Sequence, residues 1–214
     1  MKRKLYAAAA AFMLLPAVLT LGGCGETSEE TVEEEQLPYG ATVTLDSSRG
    51  ITVSCDTRFI EPALADKLYT YYHSIETKNA EEFASVIFPL YHDYDMNEIY
   101  AGELDDQKLL DSTYSAIHDY FGFDFEYSMV EVTNAVTQDG ESSDRDQLRQ
   151  LLDDLAADKD EPNVSAHTTY FYELNMTRYL KEKGADDHAE TDYVLRDEKL
   201  FALKYDDQWY LIYS

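Results

Sequence analysis

Leu110-Asp-Ser-Thr-Tyr-Ser-Ala-Ile-His-Asp-Tyr-Phe-Gly-Phe-Asp-Phe-Glu-Tyr-Ser-Met129 changes its hydrophobic period at a glycine. Before Gly122, Leu110, Tyr114, Ile117 and Phe121 recur at spacings of four and three, which predicts a helix near Asp106 to Phe121 with one apolar stripe. After it, Phe123, Phe125, Tyr127 and Met129 alternate with Asp124, Glu126 and Ser128, the two-residue period of a half-buried strand. Gly122 itself suits the left-handed residue that ends a helix. Val130 and Val132 then move the apolar set to the opposite parity, so a bulge is predicted near Met129.

Upstream of this switch the chain reads as helical. Ile60, Leu64, Leu68, Tyr71 and Ile75 form one stripe, and Pro62 fits a first helical turn. Asn79 with Glu82 three residues on is a capping-box pattern; Phe83, Val86 and Ile87 supply a second buried face before Pro89 stops it. A short hairpin precedes these helices: Thr42, Thr44 and Thr52 alternate with Val43, Leu45, Ile51 and Val53 around Asp46-Ser-Ser-Arg-Gly50. Downstream the chain reads as strands, about Ala166 to Tyr179, Tyr193 to Tyr205 and Trp209 to Tyr213, with Asp206-Asp207-Gln208 as the last turn. Asp139-Gly140 breaks the first strand, and Leu148, Leu151, Leu152 and Leu155 predict a short inserted helix among acidic residues. Helices first and then long strands is an α+β order: N-terminal helices packed on a curved antiparallel sheet.

Two stretches carry a resemblance. Leu68-Tyr-Thr-Tyr-Tyr-His-Ser-Ile-Glu-Thr-Lys-Asn-Ala-Glu-Glu-Phe-Ala-Ser-Val-Ile-Phe-Pro89 is similar to the helix-turn-helix opening of the NTF2-like superfamily. Lys199-Leu-Phe-Ala-Leu-Lys-Tyr-Asp-Asp-Gln-Trp-Tyr-Leu-Ile-Tyr213 resembles its closing hairpin, with Trp209 after the turn. The resemblance implies a cystatin-like cone, a curved sheet wrapped round a long helix. The third helix and the Asp144 to Ala157 helix depart from that pattern.

The front of the chain reads as a processing segment. Lys2, Arg3 and Lys4 precede an uncharged apolar run from Ala7 to Leu21, interrupted by Pro16. That run is shorter than the about 20 residues a spanning helix needs, so a signal peptide is predicted over residues 1–23. Leu21-Gly22-Gly23-Cys24 resembles the lipobox of bacterial lipoproteins, which implies lipid attachment at Cys24 and an extracytoplasmic chain anchored to the cell membrane. Residues 24–37, with Glu26, Glu29, Glu30, Glu33, Glu34 and Glu35, are too polar to bury a core and read as a tether. Residues 38–214 are expected to form a single domain, a size that supports its own core.

Charge excludes one class of partner. The formal charge is −26, and loss of the signal peptide removes three cations and no acid, leaving −29. Phosphate backbones repel such a chain, so nucleic acid is not an expected partner. With Cys24 lipidated, Cys55 has no cysteine to pair with and reads as a small buried hydrophobe. The 18 Tyr outnumber the 9 Phe and 1 Trp, which suits half-wet core margins or a tyrosine-lined groove.

No motif specifies chemistry. Asp93-Tyr-Asp95-Met-Asn97 begins like a calcium loop, but Glu98 and Leu104 stand where that loop needs a glycine and a bidentate glutamate. A weaker site using oxygens of the His92 to Asp95 stretch stays open beside a solvated acidic loop. The five histidines, His73, His92, His118, His167 and His188, include no pair at the spacing of a helical zinc site. Enzymes of the resembled superfamily place an Asp or His base beside a Tyr donor, and His73, Tyr94, His118 and Tyr172 offer those residue types without a transferable motif. No catalytic, cofactor-binding or metal-binding residue is therefore assigned. The first expectation is a non-catalytic binding or accessory module with a protein or small-molecule ligand on the concave sheet face. The alternatives are a small isomerase or dehydratase, and an immunity-type lipoprotein that neutralises a basic partner.

Overall fold

The computed structural model describes residues 37–46, 50–185 and 193–213. Cys24, the expected signal peptide over 1–23, all of the expected tether but Leu37, and His188 lie outside the described residues. The elements run β1 (Thr44–Asp46), β2 (Thr52–Cys55), α1 (Pro62–Thr77), α2 (Ala80–Val86), α3 (Pro89–Tyr94) and a π-helical turn (Asp95–Ile99). They continue with α4 (Asp106–Phe121), β3 (Phe125–Val136), α5 (Ser143–Asp158), α6 (Val164–His167), β4 (Thr168–Glu182), β5 (Tyr193–Tyr205) and β6 (Gln208–Tyr213). The fold is α+β, with a six-stranded sheet in sequence order β1 to β6.

Local chemistry sets most boundaries. Pro62 opens α1, and Lys78 closes it in the left-handed region. The Asn79 side chain accepts from the amides of Glu81 and Glu82 at the start of α2. Only half of the capping box forms, because Glu82 turns to the imidazole of His73 at 2.7 Å. Asp105 caps α4, and Gly122 ends it with φ 83°. Pro89 does not merely stop α2: it occupies the first turn of α3. The predicted bulge falls between Tyr127 and Met129, and a second register shift follows between Val132 and Asn134.

The sheet corrects one expectation. It is mixed rather than wholly antiparallel, because β2 runs parallel to β3, Thr52 facing Met129 and Ser54 facing Glu131. The helices α1 to α4 lie between those strands, and only a long crossover of this kind can return a chain to a parallel neighbour.

Both faces of the central strands are covered. Tyr172, Leu174, Met176, Leu200, Ala202, Trp209 and Leu211 point into a core shared with Leu64, Leu68, Tyr72 and Ile75 of α1. The alternate residues Phe171, Phe201, Leu203 and Ile212 pack with Leu152 and Ala156 of α5 and Val164 of α6. Each fully buried leucine on either side contributes about 1.5–3 kcal/mol relative to exposure. The inserted acidic helix thus serves as a second layer, and at 16 residues it is longer than its leucines alone suggest.

Candidate ligand-binding cleft

The sheet face toward α1 is packed at its centre. Tyr72 and Tyr127 are fully buried between α1 and the sheet, with ring centroids 5.3 Å apart. Tyr72 donates its hydroxyl to Glu198 Oε2 at 2.5 Å, and Arg178 Nε lies 3.1 Å from the same oxygen. Burial pushes the Glu198 carboxyl above its usual range, against the Arg178 guanidinium and the Tyr72 hydrogen bond. This is an ion pair walled in by aromatic rings.

The open site lies on the other face. A cleft of about 740 Å³ runs between α5 and the segment formed by α3 and its π-helical turn. Helix α5 builds one wall with Asp144, Gln147, Leu148 and Leu151, residues at helical spacings of three and four. Its adjoining stripe, Leu152 and Ala156, is spent on the sheet. The floor is Lys199 and Phe201 of β5 with Ile212 of β6. The other wall carries Tyr91, Tyr94, Asp95, Ile99 and Tyr100, and Tyr213 closes the end.

The π-helical turn is what places that wall. Tyr100 donates its amide to Asp95 O at 2.9 Å, an i to i+5 bond that widens the turn so that Asp95, Ile99 and Tyr100 all reach the cleft. Asp95 is 5% exposed and accepts the Tyr213 hydroxyl at 2.5 Å. Tyr91 donates to the Tyr213 carbonyl at 3.1 Å, and the two rings meet edge to face at 5.8 Å.

Three of these phenols are pushed above their ordinary range. Burial pushes Tyr91 up to about 12. Burial, then the Asp95 hydrogen bond, raises Tyr213 well above the ordinary phenol value. Burial also raises Tyr100. Lys199 donates to Asp144 Oδ2 at 2.5 Å and lies 3.2 Å from Glu173 Oε1; the Asp144 hydrogen bond is the first cause of its raised value. A second cavity of about 470 Å³, lined by Asp93, Glu98, Asp158 and Lys159 among others, adjoins the first at Tyr94.

The residues singled out in sequence do not converge. Tyr94 lines the cleft, whereas His73 of α1 is paired with Glu82 and borders a separate cavity with Glu76 and Glu126. His118 lies on α4 at 3.1 Å from Asp119, and Tyr172 packs on Trp209 with centroids 5.5 Å apart. The calcium-like stretch is corrected: it is helix and π-helical turn, not a loop. There Asp93 pairs with Lys159 at 3.2 Å, Asp95 takes the Tyr213 hydroxyl and Asn97 bonds the Asp93 carbonyl. No cluster of three metal-ligating side chains exists among the described residues. Cys55 is buried, as a small core residue. Among the described residues no helix is long and apolar enough to cross a membrane.

Lys199, Asp144, Tyr100 and Tyr213 were not visible as a set in the sequence. The available signal was the spacing of Tyr91, Tyr94 and Tyr100 around one aspartate, together with the second stripe of α5. Comparison with protein families, curated proteins and solved structures gives no match to this chain.

Proposed function

We propose that this chain is a lipid-anchored, extracytoplasmic binding module that holds a ligand in the tyrosine cleft and performs no chemistry on it. The cleft carries the reading: a concavity of about 740 Å³ falls within the roughly 300–1,000 Å³ of small-molecule sites. Its lining suits recognition, with apolar walls, four tyrosines and a few fixed polar groups. The basic n-region, short apolar run and Leu21 to Cys24 lipobox support the anchor at Cys24.

The NTF2-like relationship is part of the same proposal. It is supported by a long helix across one sheet face and a closing β5–β6 hairpin with Trp209 after its turn. The ligand site differs from the one such a cone implies, because Tyr72 and Tyr127 occupy the face toward α1.

The test is a chemically diverse compound library screened by thermal shift on the full chain in detergent. A specific ligand at a hundred times its Kd adds about 2.7 kcal/mol of stability. Gln147 is exposed on the cleft stripe of α5, so Gln147→Trp narrows the cleft with a bulky ring and leaves the core alone. Hits abolished by Gln147→Trp support the reading; a library with no such hit overturns it.

A further inference from the structure

The chemical class of the ligand follows from what lines the cleft. Four tyrosine rings border it, Tyr91, Tyr94, Tyr100 and Tyr213, and a phenol is neutral at physiological pH. A neutral aromatic face carries partial negative charge and attracts cations. Asp95 stands among these rings, its Oδ2 fixed by the Tyr213 hydroxyl. On the opposite wall Asp144 is also acidic. Lys199 is the cation of the lining, and it is already held by Asp144 and Glu173.

Three ligand types can be compared on this lining. An anion meets Asp95, Asp144 and the negative ring faces, with Lys199 engaged by two carboxylates. A neutral ligand can stack, yet gains nothing from Asp95. A cation gains from the rings and from Asp95, whose hydrogen bond is to a neutral hydroxyl, while Asp144 is shared with Lys199. The neighbouring cavity extends the same field: Asp93, Glu98 and Asp158 face it, with Lys159 3.2 Å from Asp93. Acidic groups around a recess of low dielectric focus potential on a positive ligand. Ile99, Leu148 and Leu151 complete the lining with apolar surface for a hydrocarbon stem.

We infer that the cleft binds a small organic cation, an ammonium or guanidinium group on an apolar stem, with the charged head among Tyr94, Tyr100 and Asp95 and the stem along α5. This rests on the binding-module reading and adds the sign of the ligand's charge. Asp95 Oδ2 stays with the Tyr213 hydroxyl in the bound state.

The test uses probes that share a butyl stem on the full chain in detergent at 0.15 M salt, followed by calorimetry: n-butylammonium, n-butylguanidinium, n-pentanol and pentanoate. The expected result is that at least one cation binds about tenfold more tightly than the alcohol, with pentanoate weakest. Gln147→Trp abolishes that binding, and Tyr94→Leu and Asp144→Asn each weaken it several-fold. Asp144→Asn leaves Asp95 and Tyr213 in place, so it reports even if Asp95→Asn fails to fold. Glu81→Gln, an exposed acid on α2 outside the cleft lining, leaves binding unchanged.

Binding of the alcohol or of pentanoate as tight as that of the cations, and blocked by Gln147→Trp, overturns the cation inference while the binding module stands. Absence of cation binding overturns it equally. A blocked Ala-Lys-Ala peptide that binds tenfold more tightly than n-butylammonium overturns the small-molecule form in favour of a protein side chain. Only the failure of every library compound to give a hit sensitive to Gln147→Trp removes the binding module as well.

Discussion

The Arg58 guanidinium grips the fully buried Asp56 carboxylate with two nitrogens, Nη2 at 2.6 Å and Nε at 3.0 Å. The same guanidinium donates to the carbonyls of Leu37 and Pro38 at 3.0 and 2.8 Å. Asp56 also accepts the Gly40 amide at 3.0 Å, and Tyr39 donates its hydroxyl to the Val132 carbonyl at 2.9 Å. These bonds fasten the first described residues to β2 and β3, at the point where the acidic segment ends. Removing one partner of a buried, bidentate pair strands the other charge. Asp56→Ala is therefore expected to cost about 3 kcal/mol in chemical denaturation. Amide exchange at residues 39–41 should accelerate more than exchange in β5. A loss under 1 kcal/mol, with no local change, would show that the clamp is incidental.

The pH dependence of stability has its acid limb partly at this clamp. The Arg58 hydrogen bond holds Asp56 below its ordinary 3.8, and the Trp209 indole, with Lys204, holds Glu61 below 4.5. In both cases the folded state binds fewer protons than the unfolded chain. The stabilisation is complete above the unfolded values and is lost as pH falls through the depressed native ones. Glu198 acts in the opposite sense: its raised value favours the folded state once protonated, and that contribution fades as pH rises past about 4.5. Melting followed by the fluorescence of the single Trp should show a fall in Tm below about pH 4. That fall should be shallower in Asp56→Asn. Parallel acid limbs in the two proteins would refute the assignment.

Trp209 links the last hairpin to the start of α1. Its Nε1 donates to Glu61 Oε2 at 3.0 Å, and Lys204 Nζ lies 3.0 Å from the same oxygen. Glu61 stands immediately before Pro62, so a residue that caps no amide through its side chain holds the helix by its flank instead. Glu61→Gln keeps the shape and an acceptor but removes the charge. It should cost about 1 kcal/mol at neutral pH and almost nothing below the Glu61 titration. Urea unfolding at neutral and at acid pH separates the two.

Much of the fold was legible because it is written in local periods. The stripe Leu64, Leu68, Tyr71 and Ile75, the switch at Gly122, and the alternation in β4 to β6 each follow from nearest-neighbour geometry. The Asp206 and Asp207 turn was readable too, since both residues adopt the positive φ that a tight hairpin needs. What stayed hidden depends on distant partners. Nothing in Thr52 to Cys55 says that it pairs parallel with β3 across four helices. Asp93 to Asn97 reads as a polar loop because the face that buries Asp95 is completed by Tyr213, 118 residues away. Arg145, in the acidic first turn of α5, is 3% exposed and donates to the Thr137 and Gly140 carbonyls, closing the β3–α5 connection. The cleft was unreadable for the same reason, since its floor and walls come from five separate elements.

The ion pair under α1 offers a double-mutant cycle. Glu198 and Arg178 face each other beneath Tyr72 and Tyr127, and each single truncation leaves an uncompensated charge. Glu198→Ala or Arg178→Ala alone should cost about 3–5 kcal/mol. The combination Glu198→Leu with Arg178→Met should cost much less than the sum, because no charge stays behind. Additive losses would mean that the two groups are solvated independently and that the pair does not organise this core.

Lipidation at Cys24 is the prediction with the widest reach, because location decides which ligands the cleft can meet. In a bacterial host the full chain should take up radiolabelled palmitate and sediment with membranes. Its mature form should lack the first 23 residues of the sequence. Cys24→Ala removes the only thiol at the end of the apolar run and should abolish labelling while leaving the melting of the domain unchanged. Two or more acyl chains make release from the membrane negligible, since each buried CH₂ adds about 0.8 kcal/mol. The decisive comparison is therefore qualitative: wild type in the membrane pellet and labelled, Cys24→Ala unlabelled. If the wild type is processed but appears unlabelled in the soluble fraction, the segment is an ordinary secretory signal and Cys24 carries no lipid. If neither form is processed, the reading of residues 1–23 as a signal peptide fails, and the extracytoplasmic location falls with it.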